Sequence, residues 1–285
     1  MIGGNSLDQV KGIEVFIVDL SQEKPYLGSL REGEKVNEAG YLVRKGNRTV
    51  YPVKNRSLVV RVETRDGVVG WGETYGLVAP RATAEIIHDL LVGFVIGRDP
   101  FDVERVHDDL YDLMRVRGYT GGFYHDAIAA IDIALWDIVG KIKGVSVAEL
   151  AGGRRVERIP AYVSGLPEDT LAERCELAQK WQAQGFDSFK FALPIADEGA
   201  VKELKSLREA LGGNARIAAD LHWSLTAEES IDLARELSSF NPWFLEAPVA
   251  PECIEALRKV AKQCEQKIAA GEEWRTLHEA RMRID

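Results

Sequence analysis

Two patterns of apolar and polar positions follow one another along the chain. In the first third, alternating runs give way to helical spacing. Residues 12–19 (GIEVFIVD) and 57–63 (SLVVRVE) have the β-branched character of strands. Arg65-Asp66-Gly67 reads as a hairpin turn, so residues 68–74 (VVGWGET) form the returning strand. Residues 21–52 are polar with little periodicity, which predicts a long loop or irregular hairpin, a type of segment that often carries function. Apolar positions at helical spacing then mark 82–95 and 102–116. After a glycine-rich break at 118–122, they mark a long helix from about 123 to 143.

From residue 158 strand and helix alternate. Strands are expected at 159–164, 188–193, 216–221, 243–247 and 267–271, with helices near 169–184, 197–211, 226–239 and 252–264. Such alternation predicts an α/β fold with a parallel sheet, either doubly wound or a (β/α) barrel. The 285 residues therefore divide into an α+β domain, 1–130, and a βα-repeat domain, 131–285, which includes the linking helix.

Charge narrows the partners. With 36 basic and 45 acidic side chains the net charge is −9, which opposes chain-wide attraction to nucleic acid or an anionic membrane. Cys175, Cys253 and Cys264 have no CxxC spacing and cannot pair without a leftover, so reduced thiols are expected. No apolar run approaches 18 residues, and the first residues lack a basic stretch followed by an apolar block. A cytoplasmic location is the expectation.

The chemistry lies in the second half. Asp220 ends the strand RIAAD, Glu246 ends WFLE and Glu272 follows KIAAG, at intervals of 26 residues. An acid at a strand end also serves as a helix cap or a solvated turn residue. Three at one spacing, all at the C-terminal ends of successive parallel strands, converge on the rim where barrel active sites form. Their mutual repulsion needs a cation, and an all-oxygen donor set favours Mg²⁺ or Mn²⁺ over zinc.

Asp220, Glu246 in FLEAP and Glu272 in AAGEEW resemble the enolase superfamily, in the branch of mandelate racemase and muconate-lactonizing enzymes. Residues 127–152 (AIAAIDIALWDIVGKIKGVSVAELAG) agree with that branch's helical signature, departing at Ala151, where a larger apolar residue is usual. The strand DGVVGWGET resembles its N-terminal capping domain. The resemblance implies a capping domain followed by a TIM-type (β/α) barrel. From residue 158 only 128 residues remain, enough for about five of the eight βα units of a closed barrel, so an incomplete, C-terminally truncated barrel is expected.

The resemblance further implies abstraction of the proton beside a substrate carboxylate through an enediolate, with Asp220, Glu246 and Glu272 holding Mg²⁺. Relatives commonly carry Lys-x-Lys at the end of the second barrel strand; here it reads Lys190-Phe191-Ala192, so the lysine that usually acts as base is missing. Lys190 remains to polarise a carboxylate or act as an acid. Asp220-x-His222 resembles acid-sugar dehydratases of the branch, in which the histidine helps a β-hydroxyl leave as water. In such relatives the base is a histidine on a later strand, backed by an aspartate, with no counterpart before Asp285. The implied function is Mg²⁺-dependent dehydration of a sugar acid (an aldonate or aldarate), a small-molecule carboxylate, by a homo-oligomer. A racemase, epimerase or cycloisomerase of the same branch is one alternative. An inactive truncated relative that only binds metal or partners is another.

Overall fold

The computed structural model describes residues 8–20, 27–45 and 48–284. By packing, the chain divides into two units, Met1–Ser21 with Lys54–Arg158, and Gln22–Val53 with Ile159–Asp285.

The first unit is an antiparallel sheet covered by helices. Strand β1 (Val10–Leu20) leaves the chain's N-terminal part. A short hairpin of β2 (Tyr41–Val43) and β3 (Val50–Pro52) comes next, and belongs to the second unit. Strands β4 (Asn55–Thr64) and β5 (Val69–Tyr75) then complete the order β1-β4-β5. Alternation along β4 turns Leu58, Val60 and Val62 inward and leaves Val59, Arg61 and Glu63 outside. The expected turn forms, with Gly67 at φ +83°.

The helix Gly122–Lys143 packs its buried Ala127, Ile128, Ile131, Ala134, Leu135 and Ile138 into this unit's core. Gly72 lets β5 approach it closely: a Cβ there would fall inside the envelope of the Ala130 carbonyl oxygen. Asp137 accepts a hydrogen bond from the Trp71 amide at 2.8 Å, and Lys141 donates to the Val69 carbonyl oxygen at 2.8 Å. The signature residues of this helix thus fasten it to β5. The helix runs unbroken through residue 130, so the boundary expected at 130/131 falls inside it, and the chain divides near Arg158. The helix expected at 82–95 forms with a π-helical stretch, Ile86–Leu91, between Pro80–Glu85 and Val92–Val95.

In the second unit, β6 (Val163–Ser164), β7 (Ser188–Ala192), β8 (Arg216–Asp220), β9 (Leu245–Glu246) and β10 (Ile268–Ala269) form one parallel sheet. They lie in sequential order, with each chain step moving one place in the same direction. A doubly wound sheet reverses direction, so over these five strands the progression is that of a barrel. The intervening helices are Leu171–Ala183, Ala200–Leu211, Ala227–Leu237 and Ile254–Gln263. Two of them start at complete capping boxes, Thr170 with Glu173 and Thr226 with Glu229. Every residue of β7 is buried, as expected of a strand covered on both faces. Several expected strands are shorter in the structure; 243–247 contracts to Leu245–Glu246 and 159–164 to Val163–Ser164.

The segment 21–52, expected to belong to domain 1–130, instead packs with this sheet over its described part. Leu27, Leu42 and Tyr51 form an apolar cluster with Ala192 and Ile195. Arg44 is fully buried; it pairs with Glu34 at 2.8 Å and donates to the backbone carbonyls of Leu27, Gly28 and Ser29. The Ser29 amide and hydroxyl both donate to the Asp169 carboxylate.

Candidate active site

Parallel register places Asp220 beside Glu246, because the two end neighbouring strands as paired residues. The Leu221 amide donates to the Glu246 carbonyl oxygen at 2.9 Å and fixes that alignment. Both carboxylates would repel at this separation. Lys190, from the middle of β7, extends along the sheet to meet them, with Nζ 2.7 Å from Glu246 Oε2 and 3.3 Å from Asp220 Oδ2. Burial works against its charge, but the hydrogen bond to Glu246 and the negative charges of Asp220 and Glu246 outweigh it. The ammonium is held well above the ordinary lysine range.

Beyond β8 the chain turns through two successive left-handed residues, His222 at φ +51° and Trp223 at φ +53°. Such conformations cost about 1–2 kcal/mol for a residue with a Cβ. The turn is held by the Trp223 amide donating to the Ala247 carbonyl oxygen at 2.7 Å and the His222 amide donating to Asp220 Oδ1 at 3.1 Å. The imidazole is buried, with Nε2 3.4 Å from Asp220 Oδ2 and Nδ1 3.2 Å from the Tyr51 hydroxyl. Burial lowers the pKa of His222; Asp220 opposes this and Lys190 adds to it.

Glu272 follows β10 after Gly271, whose φ of +125° suits glycine; a Cβ there would crowd the Trp274 ring. Its side chain is exposed, yet desolvation raises its carboxyl pKa, and the like charges of Asp220 and Glu246 raise it further. Its neighbour Glu273 accepts from Trp274 Nε1 at 2.9 Å, which engages it with packing.

Sequence reasoning thus selected residues that lie at one end of the sheet. Lys190 contacts both Asp220 and Glu246, His222 contacts Asp220, and Glu272 is coupled electrostatically to Asp220, Glu246 and Lys190. The donor chemistry fits a hard divalent cation. Convergence at ligand distance is a different matter. Among the described residues no three His, Cys, Asp or Glu side chains are gathered as a metal would require, and Lys190 supplies the positive charge. Tyr51 was missed, because an aromatic residue in a polar stretch carries no sign of a partner 171 residues away.

Residues 47–152 match the mandelate racemase / muconate lactonizing enzyme N-terminal domain, and residues 173–285 the enolase C-terminal domain-like family. D-galactonate dehydratase of Xanthomonas euvesicatoria is 36% identical over 236 residues, 79% of this chain and 60% of that protein. D-galactarolactone cycloisomerase of Agrobacterium fabrum is 33% identical over 222 residues, 76% of this chain and 57% of that protein. This chain therefore spans less than two thirds of the length of these curated relatives. A solved structure of a member of the enolase superfamily from Agrobacterium tumefaciens is 58% identical, with a TM-score of 0.93, and the match covers 97% of this chain and 71% of that one. Both halves of the chain, the carboxylates at the sheet end and these likenesses lead to one family: the chain belongs to the enolase superfamily, in its mandelate racemase and muconate-lactonizing branch.

Proposed function

We propose that this chain carries the metal-binding and acid-donating side of an enzyme that removes the proton beside a substrate carboxylate, dehydrating a sugar acid. The observation that carries the reading is the register of Asp220 with Glu246, with His222 against Asp220 and Lys190 against both acids. Asp220, Glu246 and Glu272 would hold Mg²⁺ or Mn²⁺. When bound, the cation would stabilise negative charge developing on the substrate carboxylate. Lys190 keeps a full positive charge at this sheet end and orients the carboxylate of the substrate. His222 would give its proton to a departing β-hydroxyl, which leaves as water, while the α-proton passes to a base that none of these residues supplies. Ala192 offers no base at the position where relatives carry a second lysine.

A test combines calorimetric titration of the full chain with Mg²⁺ and Mn²⁺, wild type against Glu246→Gln, with a sugar-acid screen for loss of water. Binding that Glu246→Gln abolishes, with an unchanged circular dichroism spectrum, supports the reading; no binding at millimolar metal rejects it. The cycloisomerase relative motivates a second reading, isomerisation at the α-carbon. Deuterium uptake at that carbon without release of water would select it.

A further inference from the structure

We infer that the free edge of β1 is a self-association surface, on which a second copy of this chain adds its own β1 antiparallel, centred on Val15. In the order β1-β4-β5 this strand pairs on one side only, with β4. Alternate residues of such a strand turn their N–H and C=O groups outward, where they can pair with another strand. Among the described residues, the backbone bonds of β1 outside its sheet are those of Val10. It donates to the Arg98 carbonyl oxygen at 2.9 Å and accepts from the Gly97 amide at 2.8 Å. That segment and the bulge between Val10 and Gly12 close the edge at its N-terminal end. From Gly12 onward the edge lies open.

The side chains along this edge are apolar and uncovered. Phe16, Ile17, Val18 and Leu20 are each between 38% and 50% exposed. Phe16 and Val18 lie on the outer face, opposite Val59 and Ser57, and the Trp71 ring stands 6.1 Å from that of Phe16. Ile17 lies on the core face, opposite the buried Leu58, yet the core does not cover it. Edge strands are commonly blunted by lysine, proline or inward charge. Residues 12–18 hold one charge, Glu14, and no proline.

The strand's own sequence selects the occupant. In a continuous sheet opposite residues share a face, so a two-fold pairing joins odd numbers to odd and even to even. Centred on Glu14, it would set that carboxylate against its own copy. Centred on Phe16, it would set Asp19 against Ile13. Centred on Val15, it sets Ile13 against Ile17 and Gly12 against Val18 on both sides of the axis. The same register brings Lys11 to the second copy's Asp19, opposite charges at each end of the join. Both side chains are more than half exposed and able to meet. The paired stretch ends at Gly12, short of the segment that covers Val10.

This association is independent of the reaction proposed above. The test is sedimentation equilibrium of the full chain, wild type against Lys11→Glu and Asp19→Lys. The wild type is expected to dimerise. Each variant alone meets like charge at both ends of the join and should dimerise about tenfold more weakly. Mixed in equal amounts, the two variants regain an opposite pair at each end, so a heterodimer of wild-type strength is expected. Damage to the fold would not be repaired by mixing. A wild type that stays monomeric at about 0.1 mM overturns the inference. So does a dimer that neither substitution weakens, or a mixture no tighter than the variants alone. Hydrogen exchange of the wild type decides the matter even if the variants fail to fold. Amides within 12–18 should gain protection from dilute to concentrated solution, and unchanged protection overturns the inference.

Discussion

Lys190 and Glu246 are joined at 2.7 Å across a strand that belongs to neither, since β8 lies between β7 and β9. One ammonium thereby offsets the acids of two successive strand ends. Replacement by methionine keeps the length of the side chain and removes its charge. Lys190→Met is expected to lower stability by about 3 kcal/mol in chelator, because the Asp220–Glu246 pair loses its counter-charge. Saturating Mg²⁺ should return part of that loss. Urea unfolding with and without metal measures both effects, and a variant as stable as wild type in chelator refutes the assignment.

Ala192 sits in the apolar cluster with Leu27, Leu42, Tyr51 and Ile195. Ala192→Lys would create a Lys-x-Lys pair with Lys190, yet it places a charged chain among apolar neighbours. We expect a loss of about 1–3 kcal/mol and faster proteolytic cleavage between residues 27 and 53. Cleavage at the wild-type rate would mean that the hairpin does not depend on this cluster.

Arg174 and Glu203 are both fully buried, joined by two hydrogen bonds of 2.7 Å. Arg174 also donates to the carbonyl oxygens of Glu168 and Asp169, the latter being the residue whose carboxylate receives Ser29. Arg174→Met leaves a buried carboxylate unpaired and should cost about 3–5 kcal/mol. The double variant Arg174→Met with Glu203→Leu should recover much of it. A double variant no better than the single would show that the loss comes from the contacts of Arg174 with Asp197 and the backbone.

His107 lies 3.5 Å from Asp132, and this partner raises the histidine's pKa, burial opposing. A folded-state pKa above the unfolded one favours folding at low pH. The contribution is therefore complete below the unfolded value of about 6.5 and fades as pH rises through the raised folded value. Both side chains are partly exposed, which limits the effect to a few tenths of a kcal/mol, on the order of an exposed ion pair. The wild type should lose that increment relative to Asp132→Asn between about pH 6 and 8. Parallel melting curves over that range would contradict the pairing.

What could be read from the chain depended on range. The turn at Asp66-Gly67 and the alternation of Leu58, Val60 and Val62 are local, and the hairpin β4–β5 follows them closely. Capping residues fix the helix starts at Thr170 and Thr226 for the same reason. The equal spacing of Asp220, Glu246 and Glu272 was legible because a βα unit has a nearly constant length. The Lys190 contacts were not, since they depend on how far a side chain reaches past β8. Neither was the allegiance of the hairpin, which rests on apolar side chains meeting Ala192 and Ile195 far along the chain. Strands such as β9 contracted because their ends turn sharply, as Ala247 does at φ +46°.

The hairpin enters the chain between β1 and β4, which pair from Val10–Thr64 to Leu20–Asn55, yet its described residues, 27–45 and 48–53, pack with the parallel sheet. The two units are consequently not separable cassettes of a gene. A cut near Arg158 strips the carboxylate-bearing part of Tyr51 and its neighbours and leaves them stranded on the other fragment. A chimera built from two relatives must therefore exchange this inner stretch together with the sheet it packs with.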